Sequence, residues 1–105
     1  MFIKYDEYEL LELFLSEPIS IVDDIEAGEF IYSYRDNKNF RVILTMDVYK
    51  QACSLSVTYN DFTVFSGDFK EVTSIKKVEN DMIISINDDE RIKVKFLKQV
   101  GVELL

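Results

Sequence analysis

The chain of 105 residues contains no histidine, one cysteine, one proline and three glycines. Each scarcity removes a class of chemistry. Histidine supplies most general bases near neutral pH and is the commonest metal ligand, so Ser-His-Asp triads, zinc sites and imidazole acid-base catalysis are excluded together. A single cysteine, Cys53, cannot form an internal disulfide, which fits a reducing compartment. Glycines at positions 28, 67 and 101 only are too far apart for a phosphate-cradling loop. No apolar run approaches the roughly 18 residues of a membrane span, so no membrane partner is expected. The opening MFIKYDEYE turns acidic at once instead of placing a basic region before an apolar one, which argues against a secretory signal and for a cytoplasmic, bacterial protein.

What is present centres on Asn39 to Tyr59. Phe40, Val42, Leu44, Met46 and Val48 occupy alternate positions, and Cys53, Leu55, Val57 and Tyr59 repeat the pattern. Period two marks half-buried strands, here an antiparallel hairpin turning near Lys50 and Gln51. Cys53 falls in phase with Leu55 and is expected to be a buried apolar residue. Before the hairpin, Asp6 and Glu9 have the spacing of a capping box, and EYELLELFLS predicts a helix over about residues 6 to 16, stopped by Pro18. Its apolar side is expected to hold Tyr8, Leu11 and Leu15, with Leu10 and Phe14 adjacent. Ile19 to Val22 is extended, Gly28 turns an acidic connection, and Phe30, Tyr32 and Tyr34 alternate in another strand. Asn60 and Asp61 make a tight turn, Gly67 and Asp68 a turn or bulge, and residues 69 to 76 favour strand. Asn87 to Glu90 reads as a solvated hairpin turn, not a cation loop, because it lacks the alternate ligand spacing and central glycine that calcium requires. Ile92, Val94 and Phe96 form a last amphipathic strand, which Gly101 bulges or ends. The expected fold is α+β: an N-terminal helix packed on a curved antiparallel β-meander of about seven or eight strands, with residues 1 to 105 as one domain.

Charge is unevenly placed. Residues 1 to 30 hold nine acids and one base, giving −8, whereas residues 31 to 105 hold eleven of each and sum to zero. Such acidity opposes nucleic-acid binding. The strip Arg91, Lys93, Lys95 and Lys98 is then the polar face of an amphipathic strand, which also discourages edge pairing. Asp23 with Asp24 or Glu26 could in principle form a catalytic carboxylate pair, but in an exposed segment nothing separates two pKa values. No enzyme activity, cofactor or metal is expected. The functional reading of the acidic third is a partner surface, since concentrated charge steers a cationic partner and tyrosines among carboxylates are favoured interface anchors. The candidate residues are Glu7, Glu9, Glu12, Asp23, Asp24, Glu26, Tyr8 and Tyr32, with Tyr5 and Tyr34 near them.

Through its acidic DEYELLE and DDIEAGE stretches and the meander from Phe30 to Phe96, the chain resembles the small immunity proteins with which bacteria neutralise their own polymorphic or contact-dependent toxins. The resemblance implies a non-enzymatic module that binds a basic protein such as a toxin domain, as a monomer or weak homodimer. Two other readings stand beside it. One is a carrier of small apolar ligands inside a curved sheet lined by Phe30, Phe40, Phe62, Phe65 and Phe69; the other is a structural protein that oligomerises through exposed sheet edges.

Overall fold

A computed structural model describes residues 1–21 and 25–105. The order is β1 (Lys4–Tyr5), α1 (Glu7–Phe14), β2 (Ile19–Ser20), a single 3-10 turn (Ile25–Ala27), β3 (Glu29–Arg35), β4 (Phe40–Asp47), β5 (Ala52–Tyr59), β6 (Phe62–Phe69), β7 (Val72–Val78), β8 (Asp81–Ile86), β9 (Asp89–Lys95) and β10 (Gly101–Leu104). The expected α+β meander is present, and it divides between β6 and β7 into two five-stranded sheets. One runs β2-β3-β4-β5-β6 and the other β1-β7-β8-β9-β10. All pairings are antiparallel except β1 with β7, where Lys4 faces Ser74 and Tyr5 faces Ile75. The strand count exceeds the expected seven or eight because β1 and β2 are two-residue strands, too short to show a period.

The central hairpin forms as its alternation requires. Val42 pairs Val57, Leu44 pairs Leu55 and Met46 pairs Cys53 on the inward face. These residues join Ile84, Ile92 and Val94 of the other sheet in one core, where each is at most 4% exposed. The apolar layer between two sheets is the expected product of half-buried strands that each need a partner for one face. Cys53 lies in that layer as expected, and burial first, then the charge of Asp68, pushes its thiol up to about 12.

Turn chemistry follows residue type. Asn60 and Asp61 between β5 and β6, and Asn87 and Asp88 between β8 and β9, both take the left-handed conformation at two successive residues (φ 50° and 67° in each pair). Asn and Asp tolerate that region, and two such residues match the twist of a two-residue hairpin. Gly67 is neither a turn nor a bulge; it lies within β6 opposite Leu55, and the irregularity falls instead between Val57 and Thr58. A Cβ at Gly67 would sit 2.7 Å from the Phe69 ring, so the glycine makes room for that ring. Gly101 opens a separate strand, β10, after the loop from Phe96 to Val100.

The helix differs from expectation in three respects. Asp6 caps it by accepting the Tyr8 N–H at 2.8 Å, but Glu9 does not reach back to complete a capping box. Its Oε1 accepts the Lys77 N–H of β7 at 3.1 Å. The helix ends at Phe14, not near residue 16, because Leu15 adopts φ 59° and its N–H bonds the Leu11 carbonyl at 2.8 Å. The buried face is Leu10, Leu13 and Phe14; Tyr8, Leu11 and Leu15 face outward. Phe14 decides this choice of face. Its ring lies 5.3 Å from Tyr32 and 5.2 Å from Phe96, bridging the two sheets.

Candidate functional site

The N-terminal segment builds a tyrosine-lined opening on the described surface. Ile3 is fully buried and its N–H donates to the Val48 carbonyl at 2.9 Å, which fixes β1 beside the β4–β5 loop. Tyr5 is thereby held across from Tyr49 of that loop, and the chain then turns at Asp6 into α1. Gly28 carries φ +73°, and an added Cβ would meet the Tyr49 ring at 2.9 Å. Glycine alone lets the ring lie down on the backbone there while the Gly28 carbonyl accepts the Val48 N–H. The first turn of α1, the start of β3 and the β4–β5 loop enclose a cleft of about 620 Å³. Beyond the wall formed by Tyr5, Val48 and Tyr49, a second groove of about 600 Å³ continues over Phe2 and Lys4.

Four tyrosines, at positions 5, 8, 32 and 49, and two glutamates, Glu7 and Glu17, line the cleft over a floor that includes Leu11, Phe30 and Val48. No lysine or arginine lines it. Tyr32 lies deepest, 2% exposed. Its ring packs on Phe14, and its hydroxyl has no hydrogen-bond partner among the described residues, an exposed edge of it opening onto the cleft. Burial, and after it the neighbouring Tyr5 and Glu7, push its phenol up to about 12. Tyr5 is raised for the same reasons, burial first and then Glu7 and Tyr49. The Tyr5 and Tyr32 phenols and the Glu7 carboxylate therefore form one electrostatic group, in which the negative charge sits on Glu7 and burial favours the neutral form of the two phenols.

The anticipated partner residues separate into groups. Glu7, Tyr8 and Tyr32 meet at the cleft. Glu9 and Glu12 turn away to β7, where Glu9 holds the Lys77 backbone and Glu12 lies 3.0 Å from the Lys77 ammonium. Glu26 is exposed on the 3-10 turn, and Asp23 and Asp24 lie outside the described residues. Tyr49, Glu17 and Gly28 escaped sequence reasoning. Tyr49 is the first residue out of phase beyond Val48, and only the tertiary position of the β4–β5 loop turns it into a wall of the cleft.

Away from the cleft, acids and bases balance in number over residues 31 to 105. On the β7–β10 sheet Lys95 pairs Glu103 at 2.6 Å and Lys76 pairs Glu90 at 2.9 Å, as a solvated polar face requires. The interior once considered for an apolar ligand is filled. Phe30, Phe40, Phe65 and Phe69 pack against the core, and Phe62 is 76% exposed at the start of β6, opposite the exposed end of β5 at Tyr59.

No family model matches the chain, and no curated protein sequence matches it. Among solved structures, it is similar to a chain of the contact-dependent growth inhibition toxin–immunity protein complex from Klebsiella pneumoniae 342. The TM-score is 0.78 at 19% identity, and the match covers 98% of this chain and 96% of that one. The two share their fold. At that identity the resemblance is one of architecture, running over nearly the whole length of both chains.

Proposed function

We propose that this chain is an immunity protein: a non-enzymatic module, acting in the cytoplasm as a monomer, that binds and neutralises a basic toxin domain. The observation that carries the reading is the end-to-end fold match to a chain of a toxin–immunity complex. Of the two roles named in that complex, this chain suits the inhibitor. It has no histidine and an excess of eight negative charges in its first 30 residues. It also has a tyrosine-lined acidic cleft at the foot of α1. Concentrated negative charge attracts a cationic partner over a Debye length, and aromatic rings beside carboxylates anchor it once docked. The binding surface centres on Glu7, Tyr8 and Tyr32, the acids Asp23, Asp24 and Glu26 of the same N-terminal third add to its attraction for a cationic partner, and residues 1 to 105 act as one unit.

The test is capture of a toxin domain encoded beside this chain, followed at low and high salt, with a variant in which Glu7, Asp23, Asp24 and Glu26 are replaced by their amides. The expected result is a slower association rate and a shallower salt dependence in an intact fold. Association rates that match those of the parent at every salt concentration would remove the reading.

A further inference from the structure

The cleft is built for one kind of chemical group. Its polar side chains are carboxylates, phenols and the neutral Ser20 hydroxyl, and no cation of the chain lines it. An anionic ligand would meet Glu7 and Glu17 with nothing to balance them. A neutral apolar ligand would leave the Tyr32 hydroxyl as it is now, on a residue 98% buried and without a partner among the described residues. No side-chain polar atom among the described residues is buried without a partner, so the Tyr32 oxygen is open to the cleft, where it can accept a hydrogen bond from a ligand's donor. A cation on an apolar stem satisfies every feature at once: its charge meets Glu7, its N–H donates to Tyr32, its face lies on a tyrosine ring, and its methylenes cover Leu11 and Val48. The guanidinium group fits better than an ammonium, because it is planar, weakly hydrated and spreads five donors over several acceptors.

We propose that the cleft between α1, β3 and the β4–β5 loop is a socket for a single arginine side chain presented by the protein partner, held between the Glu7 carboxylate and the Tyr5 and Tyr32 hydroxyls. The proposal rests on the toxin-binding reading and names what the partner inserts. Tyr49 and Tyr5 form the wall against which the guanidinium stacks, and Gly28 allows that wall its position. A neighbouring residue of the inserted segment would extend into the groove over Phe2.

The experiment titrates the intact chain with N-acetyl-arginine amide, with the neutral isostere N-acetyl-citrulline amide, and with N-acetyl-lysine amide. Tyrosine ring signals are followed by NMR, assigned through single Tyr→Phe variants. Saturable shifts at Tyr5, Tyr32 and Tyr49 with the arginine derivative, at an unchanged Tyr59, are expected, and citrulline should give none. Glu7→Gln and Tyr32→Phe should each weaken binding about tenfold, the usual effect of one charge-assisted hydrogen bond. Core methyl signals from Leu44 and Val57 report whether each variant keeps its fold. Equal responses to citrulline, or saturation that survives both substitutions, would overturn the proposal, and equal affinity for lysine would overturn the guanidinium assignment. Silent tyrosines, together with a toxin captured equally well by Tyr32→Phe, Glu7→Gln and the parent, would also overturn it while leaving the toxin-binding reading standing.

Discussion

Replacing Tyr32 by phenylalanine removes one oxygen from the deepest point of the cleft, and the structure fixes what that should do to stability. The ring stays on Phe14 at 5.3 Å, so packing is preserved. The hydroxyl donates to nothing among the described residues, so no hydrogen bond within them is lost. A polar group buried without a partner costs about 1–3 kcal/mol, but this oxygen is accessible from the cleft and bears only a fraction of that penalty. Tyr32→Phe should therefore be neutral or stabilising by up to about 1 kcal/mol, a rise in Tm of at most roughly 4–8 °C for a chain near this size. The alkaline limb gives a second readout. The Tyr32 phenol is raised from 10.0 to about 12, so between those values the native state keeps a proton that the unfolded chain has released. Stability present below pH 10 is then lost as pH rises toward 12, by about 1–2 kcal/mol once screening by the solvent of the cleft is discounted. Urea unfolding followed by circular dichroism from pH 7 to pH 11 measures both effects, and the variant should lack this part of the alkaline loss. Destabilisation beyond about 1 kcal/mol at pH 7 would show that the hydroxyl is anchored in the fold and would refute the reasoning.

Other expectations follow from the same contacts. Cys53, raised to about 12 by burial and then by Asp68, holds its proton in the native state; stability tied to it falls as pH rises from 9 toward 12, and aromatic disulfide reagents should react at pH 8 only after denaturant opens the core. Gly67→Ala should cost about 1–3 kcal/mol in a denaturant titration, because the new methyl meets the Phe69 ring at 2.7 Å and that ring must leave its packed position. Glu9→Ala removes the acceptor of the Lys77 N–H and should cost about 1 kcal/mol, whereas Glu12→Gln, which loosens a largely exposed pair, should cost under about 0.5 kcal/mol. The dissociation rate of the partner complex, measured by interferometry, should be indifferent to both.

Alternation made the central hairpin legible, because a strand with one wet and one dry face writes its register into the order of its side chains. Phe40 to Met46 and Cys53 to Tyr59 pair as that order demands. The paired left-handed residues Asn60–Asp61 and Asn87–Asp88 were legible for the same local reason. What local pattern could not decide was anything chosen between two equally regular alternatives. In α1 both the Tyr8–Leu11–Leu15 stripe and the Leu10–Leu13–Phe14 stripe have helical spacing, and only the presence of Tyr32 and Phe96 opposite Phe14 settles which goes inside. The division of the meander into two sheets occurs at Lys70 and Glu71, where Glu71 takes φ 57°, a conformation that glutamate does not announce. The parallel pairing of β1 with β7 joins residues about 70 positions apart, and no local signal encodes it. The cleft inherits that difficulty: its walls come from four separated segments, so Tyr8 and Tyr32 could be suspected from their surroundings while Tyr49 and Glu17 could not.

The acidic third of the chain then divides into two kinds of charge that composition cannot tell apart. Glu9 and Glu12 fasten α1 to β7 through Lys77, and Asp6 caps the helix, so these acids serve the fold that presents the site. Glu7 and Glu17 face the cleft beside phenols that burial keeps neutral. The distinction matters for how a basic partner would be held. Long-range attraction sums over all charges regardless of their local contacts, so the acids bound up in the helix still contribute to steering. Residence depends on what is desolvated at the interface, and there a carboxylate already engaged by Lys77 has little to add, whereas a free Glu7 next to an unsatisfied hydroxyl has much. The same net charge of −8 thus sets the rate of encounter through its total, and the lifetime of the complex through the few groups that the N-terminal strand, the helix cap and Gly28 bring together around Tyr32.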